Sequence, residues 1–183
     1  MKKILLVLII LIFFLNSCTI FKFINHYASS GDEAKGELRG DVYQKKGVKY
    51  KIGFLSRNWE FVKVKGGDLT FVNNDLDSTI TIDSTCNVKD YNYSLIVLTE
   101  VLLIGVKNKE LLSTEDVVVD NEPGLKSKYT GEVESAVVEI CAIVFKKDNC
   151  IFDFTHIANL DGYEESINDF EKFVSQFAVI SGS

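Results

Sequence analysis

Residues 136–158, AVVEICAIVFKKDNCIFDFTHIA, constrain the fold more than any other stretch. Two runs rich in β-branched and aromatic side chains flank Lys146-Lys147-Asp148-Asn149, which is the pattern of a β-hairpin. With Asp148-Asn149 as a two-residue turn, Lys147 lies opposite Cys150 and Phe145 opposite Phe152. One face then carries Cys141, Ile143, Phe145, Phe152, Phe154 and His156. The other carries Ile140, Ala142, Val144, Ile151, Asp153, Thr155 and Ile157. Both faces are largely apolar, so the sheet calls for cover on both sides. A one-residue slip would exchange the two faces.

The flanking sequence supplies the rest of an α+β domain. Val48, Tyr50 and Ile52 share one face of a strand; Phe61, Val62 and Val64 suit a second, and Leu69, Phe71 and Val72 a third, with Gly66-Gly67-Asp68 as a turn before it. STITIDSTC forms a fourth strand, with Ile80 and Ile82 facing one way. Residues 92–106 read as a helix apolar on nearly every side, a pattern that places it buried between other elements. Residues 116–134 add a strand, a turn at Pro123-Gly124 and a further strand through Tyr129. The last element is an amphipathic helix: Tyr163, Ile167, Phe170, Phe173, Val174 and Phe177 step by three and four. Asp161 is its expected N-cap, with Glu164 in capping-box position. Trp59, the single tryptophan, reads as a core anchor where one strand turns into the next.

The amino terminus is of a different kind. Lys2 and Lys3 precede twelve unbroken apolar residues, Ile4 to Leu15. A bilayer-spanning helix needs about 20, whereas the h-region of a secretory signal needs about 7–15. Leu15-Asn16-Ser17-Cys18 resembles the bacterial lipobox: aliphatic, tolerant, small, then cysteine. That resemblance implies a diacylglyceryl group on the Cys18 thiol, cleavage between Ser17 and Cys18, and acylation of the new amino terminus. The alternatives are an ordinary signal cut elsewhere and an uncleaved anchor. Stable anchoring takes at least two acyl chains, which a diacylglyceryl group provides.

Three segments follow: a signal peptide over 1–17, a lipid-anchored tether over 18–47 and a domain over 48–178. The tether carries apolar Ile20, Phe21, Phe23, Ile24 and Tyr27, then SSGDEAKGELRGDVYQKKG, in which no apolar period survives. Loss of Lys2 and Lys3 with the signal takes the formal charge from −6 to −8. An acidic chain is a poor ligand for nucleic acid, and it leaves the lipid rather than charge to hold the membrane.

Catalytic signals are thin. Of the two histidines, His26 falls in the tether and His156 on a hydrophobic hairpin face, so the residues for a Ser–His–carboxylate site are not evident. There is no phosphate-binding loop, dinucleotide fingerprint or HExxH. The oxygen-rich run Asn73 to Asp77 lacks EF-hand spacing. No metal site and no cofactor are expected.

The order of four strands, helix, strand block, long hairpin and terminal helix resembles the PsbP-like α/β/α sandwich, shared with a Ran-binding nuclear import factor. Tyr50-Lys51-Ile52 entering Asn58-Trp59, CIFDF and FEKFVSQF carry the likeness. TITIDSTC, VLLIGV, KKDNCIFDF and DFEKFVSQF look like bacterial envelope lipoproteins of this fold with no assigned activity. The resemblance covers about residues 48–178 and implies a mostly antiparallel sheet covered by helices on both faces. It transfers no active site.

It also bears on the cysteines. Cys141 and Cys150 are about 20 Å apart along the hairpin, too far for a disulfide. In the resembling lipoproteins a cysteine tends to occur at both positions 86 and 150, which implies a Cys86–Cys150 bond and a buried thiol at Cys141. The alternative is three reduced core cysteines. The resulting expectation is a non-enzymatic envelope lipoprotein, held to a membrane through Cys18 and docking onto a protein partner in the envelope. A binding module for a small apolar ligand is the second reading.

Overall fold

The computed structural model describes residues 36–64, 67–87 and 89–180. Strands β1 (Glu37–Arg39), β2 (Val42–Lys45), β3 (Val48–Lys51), β4 (Glu60–Val62), β5 (Leu69–Asn73) and β6 (Ser78–Cys86) come first. A 3₁₀ turn, Lys89–Asn92, leads into helix α1 (Leu95–Leu102). Four long strands follow: β7 (Lys107–Val119), β8 (Glu122–Val133), β9 (Ala136–Lys147) and β10 (Cys150–Asn159). Helix α2 (Leu160–Ser175) and the short β11 (Ala178–Val179) complete the described chain.

A seven-stranded antiparallel sheet has the order β4-β5-β6-β10-β9-β8-β7, and a small sheet has the order β1-β2-β3-β11. The β9–β10 hairpin adopts the register read from its sequence, Lys147 opposite Cys150 and Phe145 opposite Phe152. Its face assignment holds too. Cys141, Ile143, Phe145, Phe152 and Phe154 join the main core with Phe170, Phe173 and Phe177. Val144 and Ile151, on the other face, pack with Leu98 of α1, and Ile140 and Ile157 with Leu103. The rings fill the main core: Phe177 is 4.9 Å from Phe154, 5.5 Å from Phe152 and 5.8 Å from Phe145, each pair near edge-to-face, a favourable geometry for aromatic quadrupoles.

Several expectations are corrected. The tether does not extend to Gly47, because Glu37–Arg39 and Val42–Lys45 are already strands of the small sheet. Tyr43 is buried there, and its hydroxyl donates to Asp68 at 3.2 Å. That partner is 25 residues away in sequence, so no local period announced the strand. Residues 18–35 of the tether lie outside the described residues. The Gly66-Gly67-Asp68 turn is described only from Gly67 onward.

The turn between β7 and β8 falls at Asp120-Asn121, not Pro123-Gly124. Both residues have positive φ, 51° and 65°, as a type I′ hairpin turn requires, and Asn and Asp tolerate that region. Pro123 and Gly124 lie inside β8, opposite Val118 and Val117. β7 also begins nine residues earlier than the apolar run suggested. Its first ten residues are mostly polar and mostly exposed, Leu111 and Leu112 included among the exposed, with bulges at the start of the strand, so alternation gave no sign of it. The N-cap of α2 is Asn159, not Asp161: Asn159 Oδ1 accepts from the Gly162 amide at 2.6 Å. Helix α1 is shorter than 92–106, and it is not enclosed: its outer side faces solvent.

Candidate functional site

Cys18 and its motif, Leu15, Asn16 and Ser17, lie outside the described residues. Among the described residues no helix is long and apolar enough to cross a membrane.

The hairpin histidine has found a serine. His156 is fully buried, and its Nε2 lies 2.9 Å from Ser166 Oγ of α2. Ser166 donates its own proton to the Gly162 carbonyl at 2.6 Å. Nε2 is therefore the protonated nitrogen, assigned from this network, and Nδ1 is a buried acceptor with no partner. The ring stacks on Phe170 and tilts against Tyr163. Burial pushes the imidazole down to about 3, so it stays neutral. A hydrolytic triad needs a carboxylate on Nδ1 and an approach for substrate. Asp153 is three residues away along the strand and so on the opposite face, and Ser166 is as deeply buried as His156. The contact ties β10 to α2, with Ser78 Oγ 2.9 Å from Ser166 Oγ as a third member from β6. A Ser at a buried position of the α2 stripe, between Tyr163 and Phe170, was the signal in the sequence.

A second polar cluster joins the two sheets. The Asp68 carboxylate is wholly buried. It accepts from Tyr43 at 3.2 Å, from Tyr50 at 3.0 Å, and from Lys45 and Ser84 Oγ. Burial first, and the Asp68 charge second, push both tyrosines well above their ordinary range. Beside this cluster Asp83 and Asp153 face each other across β6 and β10. Burial and the Asp83 charge push Asp153 up to about 8. Asp83 rises to about 6 through burial and Asp68, with Lys45 at 3.8 Å pulling the other way. Among the described residues no group of three or more His, Cys, Asp or Glu side chains is placed to hold a metal ion.

The cysteines divide cleanly. Cys86 and Cys150 occupy directly opposed positions on β6 and β10, and their sulfurs are at bonding distance, 2.02 Å. Cys141 is buried and unbonded, and burial pushes its thiol up to about 12, which makes it unreactive. Trp59 is buried, with Nε1 donating to Asp169 of α2 at 2.8 Å; Ser56 shares that carboxylate at 2.9 Å. It closes the corner where the chain leaves the small sheet, and both its ring and its N–H are occupied by the protein itself.

What remains unsatisfied is the outer side of α1. Leu95, Leu98 and Leu102 face the sheet. Tyr93, Ile96, Val97, Val101 and Ile104 are all exposed, Ile104 at 70% and Ile96 at 64%. Ile96, Val97 and Val101 lie on the outer side of α1, and Tyr93 and Ile104 flank its two ends, so exposed apolar side chains run the length of the helix. The single acid on it, Glu100, is held by Lys109 at 2.6 Å and by the Tyr129 hydroxyl at 3.0 Å.

No family model matches the chain, and no curated protein matches it. Solved structures do. LpqN, "involved in cell envelope biogenesis of Mycobacterium tuberculosis", is 9% identical with a TM-score of 0.54, over 80% of this chain and 90% of LpqN. The Saccharomyces cerevisiae Ran-binding protein Mog1p is 11% identical with a TM-score of 0.50, over 81% of this chain and 97% of Mog1p. Cyanobacterial PsbP from Synechocystis is 17% identical with a TM-score of 0.49, over 82% and 95%. The first two show the fold alone: mostly antiparallel strands with two helices, as in LpqN and Mog1p.

Proposed function

We propose that this chain is a bacterial envelope lipoprotein. A signal over residues 1–17 is removed before Cys18, and a diacylglyceryl thioether on Cys18 anchors the chain to a membrane. The domain that follows is a non-enzymatic docking module for a protein partner of the envelope. The observation that carries this reading is the twelve-residue apolar run ending in Leu15-Asn16-Ser17-Cys18, too short to span and correctly terminated for lipidation. The fold likeness to LpqN, described as an envelope biogenesis protein, and to Mog1p, described as Ran-binding, is in keeping with it. The reading includes an α/β/α sandwich: α1 packs on Val144 and α2 in the core of Phe145, and adjacent strand residues point to opposite faces.

A pocket for a small apolar ligand between the large sheet and α2 finds no support, because Phe145, Phe152, Phe154, Phe170, Phe173 and Phe177 fill that space. The buried, carboxylate-free His156–Ser166 pair speaks against hydrolysis. The test is the mass of the mature chain purified from membranes. The expected amino-terminal peptide begins at Cys18 and carries a diacylglyceryl group, and Cys18→Ser retains residues 1–17 and loses the lipid. An unlipidated Cys18, or cleavage at another bond, overturns the proposal.

A further inference from the structure

We infer that the outer stripe of α1 is a membrane-contact face, seated at the lipid surface to which Cys18 ties the chain. The inference rests on the lipoprotein reading above and adds to it which side of the domain meets the bilayer.

Four observations point to lipid as the occupant. First, Ile96, Val97, Val101 and Ile104 offer apolar area with no hydrogen-bonding side chain, Tyr93 brings one hydroxyl at the edge, and Glu100 is already held by Lys109 and Tyr129. A protein interface of ordinary kind carries about one hydrogen bond per 100–200 Å²; a lipid surface asks for none. Second, the stripe is bordered as an interfacial helix is. Tyr93 opens it, the Lys146 ammonium reaches the Tyr91 and Tyr93 carbonyls and lies over the Tyr91 ring, and exposed Lys107 follows Ile104. Aromatic and lysine side chains at the ends of an apolar face are the composition that partitions to the headgroup level.

Third, the tether is long enough. Seventeen residues lie between Cys18 and Gly36, and the eighteen steps at about 3.4 Å each reach at most about 60 Å. Fourth, the chain enters the domain at the right end of the sheet. Gly36 lies against the Tyr43 hydroxyl, Tyr43 binds Asp68, and Lys45 bridges Asp68 to the carbonyl of Ser84. Ser84 is two residues from Cys86, whose partner Cys150 is opposite Lys147. The neighbouring Lys146 holds the residues that open α1. The tether and the first turn of α1 thus leave the same end of the large sheet.

The experiment places a fluorophore on the stripe. Ile104→Trp, at an exposed site, is purified with its lipid and reconstituted into vesicles of brominated phosphatidylcholine, a zwitterionic lipid that leaves the acidic domain without electrostatic attraction. Phe54→Trp, exposed beside Gln176 on the α2 side, serves as control, and the wild-type chain gives the Trp59 background. The expected result is a blue shift and loss of most of the added emission for Ile104→Trp, with Phe54→Trp unchanged. A chain that floats with the vesicles while the Ile104→Trp emission stays red and unquenched overturns the contact face and leaves the anchor standing. A blue shift without bromine quenching also overturns it, since the stripe is then covered by protein. A chain that stays in the aqueous fraction overturns the anchor and, with it, the lipid contact.

Discussion

His156 gives the fold an acid-sensitive bond that can be measured. Its imidazole is neutral in the folded chain, with its pKa pushed down to about 3 by burial, and in the unfolded chain it titrates near 6.5. The folded pKa is the lower one, so between those values the unfolded state binds the extra proton and stability falls as pH falls. Acidification from pH 7.5 to 5.0 therefore removes about 2 kcal/mol through this residue, at about 1.4 kcal/mol per pH unit below 6.5. Asp83 and Asp153 act in the opposite direction over the same range, because their carboxyls are raised in the fold. The wild-type profile alone is thus a sum, and a variant is needed to isolate the histidine. His156→Phe keeps a ring stacked on Phe170, and Ser166 keeps Gly162 and Ser78 as partners. Urea unfolding followed by the emission of buried Trp59 gives the stability of both chains at several pH values. The wild type should lose about 2 kcal/mol more than His156→Phe between pH 7.5 and 5.0. Should the variant fail to fold, His156→Leu answers the same question. Parallel profiles would refute the reasoning, for they would mean that the imidazole is reached by protons or water in the folded state.

Three further outcomes follow from particular residues. Reduction of Cys86–Cys150, whose residues are 64 apart, should lower stability by about 4 kcal/mol in the chain-entropy model, read as a fall in melting temperature with dithiothreitol that Cys141→Ala does not alter. Asp153→Asn should gain stability over the wild type as pH rises from 6 to 9, because a raised carboxyl withdraws its contribution as pH passes through the folded value; equal pH profiles in urea would count against it. The β8–β9 turn places Glu134 and Ser135 at φ 48° and 77°, a region that costs ordinary L-residues about 1 kcal/mol each. The double change Glu134→Asn with Ser135→Gly should therefore raise the urea midpoint, and a fall would show that the turn is held by side-chain contacts instead.

The readable parts of this fold are those whose signals are local. The β9–β10 hairpin could be placed to the residue, because two runs of β-branched and aromatic residues flank an Asp-Asn turn that sets one register. The buried stripe of α2 was legible for the same reason. Strands β1 and β2 were not: the partner that buries the Tyr43 hydroxyl is Asp68, 25 residues along the chain. Pro123-Gly124 was a misleading punctuation mark: Asp120-Asn121 can adopt positive φ just as well and leaves Pro123 in an extended strand. For α1, apolar residues on every side were read as full enclosure, whereas its two sides have different surroundings, sheet and solvent. The His156–Ser166 contact joins a strand face to a helix face, and only tertiary structure sets that distance.

The small sheet is assembled from both ends of the domain: β3 pairs with β11, Ile180 donates its amide to the Lys49 carbonyl at 2.9 Å, and Val179 donates to Asp120. Strand β6 pairs with β5 on one side, a near neighbour in sequence, but on its other side it waits for β10. A chain cut short before Cys150 lacks the β6–β10 pairing, and one cut before Ala178 leaves the small sheet a strand short, so the two ends of the domain must both be present before the small sheet closes.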